Sequence, residues 1–266
     1  MVTGACQAAL VEGSWSGSGP AVVLLHGQPG SGLDWAAVTP HLDGLRLFAP
    51  TRPGYDGSRP LDFAGNARAL VDRLDAAGVQ RLVVVGHSLG GGIALQLALH
   101  APDRIAALCL LGSVGSPLAV TRLDRVMAAP GARAVSAAFM RATGAAMARV
   151  VAAAAGSRLD PRQRATLRLA LAEWARSGAW TSYAAEQAMF VRDAPALADR
   201  LGEVRAPVVV GIGTRDRTVP ARVGLDLAAR LPNAEVHELD AGHLLPLEVP
   251  SQVASAIKAA VGRAAL

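Results

Sequence analysis

Apolar residues fall along this chain in two alternating rhythms. Short runs at residues 21–25, 45–49, 82–85, 105–111, 208–212 and 234–239 are bounded by glycine, proline or polar turns. Most are rich in valine and leucine with no polar alternation, which suits strands buried on both faces, as in a parallel sheet. Segments 33–42, 62–77, 93–100, 221–231 and 251–261 carry helical spacing instead. In 62–77, Ala67, Leu70, Val71 and Leu74 share one face and Gly78 closes the helix. The alternation predicts an α/β fold: a mostly parallel twisted sheet with helices on both faces. Residues 6–15 read as one or two antiparallel edge strands.

One stretch breaks the rhythm. Residues 113–199 contain no convincing strand, only Ala-, Arg-, Leu- and Met-rich helical sequence punctuated by Pro117, Pro130, Gly144, Pro161 and Gly178. That is too long for an ordinary loop. It is expected to form an inserted helical cap, or lid, over the carboxyl ends of the strands, where open α/β sheets bind ligands. The core domain would then comprise 1–112 and 200–266, with the cap at 113–199.

Composition narrows the setting. A chain of 266 residues, 52% of them hydrophobic, is long enough for one domain with an insertion. No apolar run approaches the roughly 18 residues of a membrane span, and residues 1–10 lack the features of a secretion signal. Of the two cysteines, Cys6 and Cys109, the second lies in an apolar run and reads as a buried small hydrophobe. A cytoplasmic protein with no membrane partner is expected. The net charge of +5 raises the question of nucleic acid. Twelve arginines lie between Arg122 and Arg200 against six acids, but they are scattered and no aromatic platform is interleaved among them. No nucleic-acid partner is expected.

The candidate chemistry begins at Val83-Val84-Val85-Gly86-His87-Ser88-Leu89-Gly90-Gly91-Gly92, where a buried strand gives way to a helix. A serine at a glycine-walled strand-to-helix turn fits the G-x-S-x-G pattern, in which close backbone packing exposes one side chain. The competing reading is a glycine-rich phosphate loop, but neither G-x-G-x-x-G nor a Walker pattern is present. A serine hydroxyl needs a base, and the base an orienting acid. His243, just after the last strand, fits the base by chain order; His26, His41, His87, His100 and His237 have structural explanations. His87 is expected to point away from Ser88. Asp216, after residues 208–212, fits the acid, with Asp240 as competitor and more naturally a turn cap. Oxyanion donors are expected from the backbone N–H of Leu89 and, since Pro29 has none, of Gln28.

Taken together, His26-Gly27-Gln28-Pro29, Arg52-Pro53-Gly54-Tyr55-Asp56-Gly57-Ser58, Gly86 to Gly90, Gly213 to Pro220 and Gly242-His243 make the chain resemble the α/β-hydrolase superfamily. The resemblance implies Ser88 as nucleophile, His243 as base, Asp216 as orienting acid and a helical cap between sheet strands. No cofactor and no metal ion are expected. Thr51 stands where many relatives carry an acid, a departure expected to loosen the Arg/Gly-rich turn. Relatives with an aspartate nucleophile are disfavoured by Ser88.

An activated serine beside an oxyanion hole attacks a carbonyl carbon, so hydrolysis of a small-molecule carboxylic ester through an acyl-enzyme is the leading expectation. Carbon–carbon bond hydrolysis of a vinylogous diketone and perhydrolysis use the same triad. The former ranks lower because such relatives carry a more glycine-rich oxyanion loop. A non-enzymatic receptor or scaffold is the alternative of another class. Met140, Trp174 and Trp180 are candidate substrate-binding residues in the cap, with Met147 and Phe190 beside them; packing inside the cap is the competing role for each.

Overall fold

A computed structural model describes residues 13–156, 159–176 and 178–264. Among them are six strands: β1 (Ala21–Leu25), β2 (Arg46–Phe48), β3 (Leu82–His87), β4 (Ile105–Leu111), β5 (Val208–Gly213) and β6 (Ala234–Leu239). They form one sheet in the order β2-β1-β3-β4-β5-β6, every neighbouring pair parallel. The helices are α1 (Phe63–Ala76), α2 (Leu89–His100), α3 (Arg122–Ala128), α4 (Pro130–Gly156), α5 (Pro161–Trp174), α6 (Ala179–Asp199), α7 (Ala221–Arg230), α8 (Leu245–Glu248) and α9 (Pro250–Arg263).

The central strands are buried on both faces because successive side chains point to opposite sides of the sheet. Val22, Leu24, Val83, Val85, Ala107 and Cys109 pack on one side with Val253, Ala256 and Ile257 of α9. Val23, Leu25, Val84, Leu108 and Leu110 face the other, against Leu70 and Leu74 of α1, Ile93 and Leu97 of α2, and Val223 and Leu227 of α7. Each fully buried Val or Leu side chain stabilises the fold by about 1.5–3 kcal/mol relative to exposure. Cys109 is fully buried, and burial pushes its thiol up, away from reactivity. Helix α1 starts where Asp62 accepts a hydrogen bond from the Gly65 N–H at 2.8 Å. It ends at Ala76, two residues before Gly78, whose φ of 65° lies in the left-handed region.

Three expectations need revision or fall elsewhere. Segment 33–42 is two 3₁₀ turns, Gly32–Trp35 and Thr39–His41, not one helix. Pro40 has no N–H to continue an α-helical ladder, and the apolar residues Trp35, Val38 and Leu42 bury equally well from short turns. Gly144 does not punctuate α4; it lies inside that helix with the Trp180 ring packed against it. Residues 6–12 of the expected edge strands, and Cys6 with them, lie outside the described residues. Just after them, Ser16 makes an antiparallel bridge to Leu47 and Trp15 stacks on Phe48 at 5.1 Å.

Helices α3 to α6 lie between β4 and β5 and touch segments that follow several strands. Gln187 of α6 meets Gln28 after β1, Glu186 meets Arg52 after β2, and Gln163 of α5 meets the Glu248 carbonyl after β6. The far half of α6 joins the main core through Phe190, Ala194 and Leu197.

Candidate active site

Ser88 sits between β3 and α2 with φ 53° and ψ −120°, the one described non-glycine residue with positive φ. Such a conformation costs roughly 1–3 kcal/mol and persists only where the surroundings enforce it. They do so through close packing. A Cβ on Gly86 would lie 2.5 Å from the Gly90 carbonyl oxygen, and one on Gly90 would strike the Leu25 carbonyl. The Ser88 N–H donates to the Leu111 carbonyl at 3.0 Å, tying the turn to β4.

Two residues from distant loops converge on that serine. His243 Nε2 lies 3.1 Å from Ser88 Oγ, and His243 Nδ1 lies 2.7 Å from Asp216 Oδ2. A carboxylate only accepts, so Nδ1 carries the proton and Nε2 presents its lone pair to the hydroxyl. Asp216 is buried, and its other oxygen accepts the backbone N–H groups of Thr218 and Val219 at 2.8 and 2.9 Å. Those bonds fix the carboxylate's orientation. Asp240, the competitor, points outward, pairs with Arg215 and does not reach His243. Its expected turn-capping role is replaced by that ion pair.

His87 and Glu248 contribute in ways the chain pattern did not suggest. His87, expected to point away from Ser88, makes its contacts with His243. Its ring packs on that of His243 with centroids 5.0 Å apart, and its Nε2–H donates to the His243 carbonyl at 2.8 Å. Burial, with the neighbouring His243 ring, lowers its pKa to about 3, so it stays neutral and adds no competing charge. Glu248 accepts the N–H groups of Gly242 and Leu244 at 2.8 and 3.2 Å, clamping the loop on both sides of His243.

The loop carrying Gln28 runs against Ser88: a Cβ on Gly27 would lie 3.1 Å from the Ser88 Cβ. Leu89 is the first residue of α2, so its N–H has no intrahelical acceptor and lies at the positive end of the helix dipole. Beneath the loop is a buried charged cluster. Arg52 is ion-paired with Glu186 and donates from Nε to the His26 carbonyl at 3.0 Å and from Nη2 to the Gly27 carbonyl at 2.7 Å. Tyr55 donates its hydroxyl to Glu186 at 2.8 Å, and His26 Nε2 accepts the Arg52 N–H at 2.9 Å. Burial disfavours the Arg52 charge, but the charge and hydrogen bond of Glu186 outweigh that and hold it above its usual value. Burial and the Arg52 charge push His26 well below its usual value. Thr51 does not leave its turn loose, because its Oγ1 accepts the Gly32 N–H at 3.1 Å.

Met140, Trp174 and Trp180 are all buried and form one cluster with Ala148 and Ala170, against which Leu244, next to His243, also packs. Trp180 donates its indole N–H to the Trp174 carbonyl at 2.8 Å. Trp174 also lines an apolar cleft with Leu247 and with His87 and Leu244, the neighbours in sequence of Ser88 and His243. No group of three or more His, Cys, Asp or Glu side chains among the described residues is placed to hold a metal ion. No helix among them is long and apolar enough to cross a membrane.

Several known proteins are similar to this chain in sequence or in fold. A 2-hydroxy-6-oxononadienedioate/2-hydroxy-6-oxononatrienedioate hydrolase of Cupriavidus pinatubonensis is 30% identical over 230 residues, 81% of this chain and 77% of that one. A lipase of Mycobacterium tuberculosis is 42% identical over 98 residues, 35% and 38% of the two chains. The solved structure of a thermophilic esterase from Thermogutta terrifontis superposes with a TM-score of 0.75 at 24% identity, covering 94% of this chain and 92% of that one, a likeness of fold. The family model described as alpha/beta hydrolase fold matches residues 20–250, and the chain therefore belongs to that family of hydrolases.

Proposed function

We propose that the protein is a serine hydrolase that cleaves carboxylic esters through an acyl-enzyme. The observation that carries this reading is the continuous hydrogen-bonded line from Ser88 Oγ through His243 to Asp216. Ser88 Oγ attacks the carbonyl carbon while its proton passes to His243 Nε2, and the imidazolium so formed is stabilised by Asp216. The oxyanion is held by the N–H groups of Leu89 and Gln28. Collapse breaks the bond to the alcohol, which leaves with the His243 proton. Water, deprotonated by the same nitrogen, then attacks the acyl group and restores Ser88. In this reading residues 113–199 act as a lid, with Trp174 on the acyl side and Met140 and Trp180 as its internal packing.

Carbon–carbon bond hydrolysis is the second reading, favoured by the 30% identity to a hydrolase of that named dienedioate over most of the chain. That identity holds despite the proline-containing oxyanion loop of this chain. A dianionic substrate, however, calls for free cations in the pocket. Arg52, the one buried arginine among the described residues, is already neutralised by Glu186. This supports an uncharged acyl group, and an ester is the simplest substrate that carries one. A panel of p-nitrophenyl esters run beside a 2-hydroxy-6-oxodienoate decides the matter: kcat/KM at least tenfold higher on an ester is expected, and the reverse ranking overturns it. A fluorophosphonate should label Ser88 alone. Labelling without turnover of any substrate would favour a receptor.

A further inference from the structure

The proposed oxyanion donor at residue 28 is set in place from the insertion, by two adjacent residues of α6. Glu186 and Arg52 are each 2% exposed, and their ion pair joins α6 to the loop after β2. Arg52 spends its remaining donors on the carbonyls of His26 and Gly27, the two residues before Gln28. A guanidinium is planar with its donors in a fixed fork, so its plane dictates where those two carbonyls lie. Once the His26 and Gly27 carbonyls are fixed, the Gly27–Gln28 peptide is fixed, and with it the direction of the Gln28 N–H.

The neighbouring residue makes a second tie. Gln187 Nε2 donates to Asp124 Oδ1 at 2.8 Å, which leaves its Oε1 to accept from Gln28 Nε2 at 2.6 Å. The carboxylate at the end of this chain can only accept, so it sets the orientation of both amides. Asp124 is itself held by the Thr121 capping box at the start of α3. Tyr55 and Ser182 complete the attachment, the latter donating to the Gly54 carbonyl at 2.6 Å.

We propose that Glu186, acting through Arg52, is a positioning residue for the oxyanion donor, so that the seating of α6 on the core determines whether the Gln28 N–H meets the developing charge. The proposal rests on the serine-hydrolase reading and deepens it. Its consequence is selective: a misaimed donor weakens the transition state and leaves ground-state binding of a small ester almost intact.

The test compares wild-type protein with Glu186→Gln and Gln187→Ala on p-nitrophenyl acetate, with competent sites counted by fluorophosphonate endpoint titration and folding followed by thermal melts. Inhibition by an alkylboronic acid, whose tetrahedral Ser88 adduct places a hydroxyl in the oxyanion site, is the second readout. For Glu186→Gln, kcat per titrated site should fall on the order of 10²-fold, the effect of losing one oxyanion donor. KM should stay within about threefold, and the boronate Ki should rise in step with the loss of kcat/KM. Gln187→Ala, which strands no buried charge, should show the same pattern at about tenfold. If Glu186→Gln merely lowers the melting temperature or the titre, with kcat per site and Ki unchanged, the residue is structural and the proposal is wrong. If Glu186→Gln does not fold, Gln187→Ala decides: unchanged kcat and Ki overturn the proposal. Activity retained in Ser88→Ala would overturn the serine-hydrolase reading itself, a separate and recognisable failure.

Discussion

Two aspartates on the same rim of the sheet differ in what surrounds them. The Asp216 side chain is 0% exposed and hydrogen-bonded to His243, whereas that of Asp240 is 78% exposed and paired with Arg215. Asp216→Asn should keep the fold yet lower kcat by about 10⁴-fold, because an amide stabilises the wrong imidazole tautomer. Asp240→Asn, which removes only a solvent-screened pair, should leave kcat within a few-fold. Initial rates on p-nitrophenyl acetate check both, and equal losses would sink the assignment of the acid. Ser88, His243 and Asp216 were legible in the sequence because each sits in a short turn motif after a strand, in a fixed chain order. Glu186 was not, since its partner Arg52 is 134 positions away. A signal did exist: Ser182, Glu186, Phe190 and Ala194 recur every four residues and all face inward on α6. The structural role expected for His87 was legible, but its partner was not, because that partner is the His243 carbonyl, 156 residues further on.

At the scale of elements, the seam between α4 and α6 is the most testable. Gly144→Ala would gain about 1 kcal/mol of helix propensity on an exposed helix. Here the added methyl meets the Trp180 indole, whose N–H is tied to the Trp174 carbonyl and so resists displacement. Overpacking of that kind costs roughly 1–3 kcal/mol, so the net effect should be destabilising. The variant should melt lower and lose preference among long-chain esters while keeping its rate on acetate. A raised melting temperature would mean the indole moves aside freely. The strands were the easiest elements to read, since runs such as Val83-Val84-Val85 admit little but a strand buried on both faces. The segment around Pro40 was misread because Trp35, Val38 and Leu42 fit helical spacing, and spacing alone does not separate one helix from two short turns.

For the whole molecule, two buried neutral histidines couple folding to pH. In the unfolded chain His26 and His87 take up protons near pH 6.5; in the folded protein His26 resists until far lower and His87 until about pH 3. Below about pH 6.5 the unfolded state binds more protons, so stability is full above that value and falls as the pH drops towards 3. Urea titrations from pH 7.5 to 5.5 should show ΔG of unfolding falling as acid is added, with a slope approaching about 1.4 kcal/mol per pH unit for each histidine. His87→Gln should remove one proton's share of that slope; an unchanged slope would mean His87 is not the group that titrates. The alternating architecture was visible in the chain, whereas the contacts between insertion and core were not, because they join surfaces that only folding brings together. The pairing of β4 with β5 spans the entire insertion, a detour of about a hundred residues. In polymer terms, bringing the ends of a flexible loop together costs only about 0.6 kcal/mol more for each doubling of its length. A chain that has closed this gap once can lengthen or shorten the exposed turns of the detour at slight thermodynamic expense, whereas α6, which holds Arg52 through Glu186 and packs Phe190, Ala194 and Leu197 into the main core, is not free to change with them.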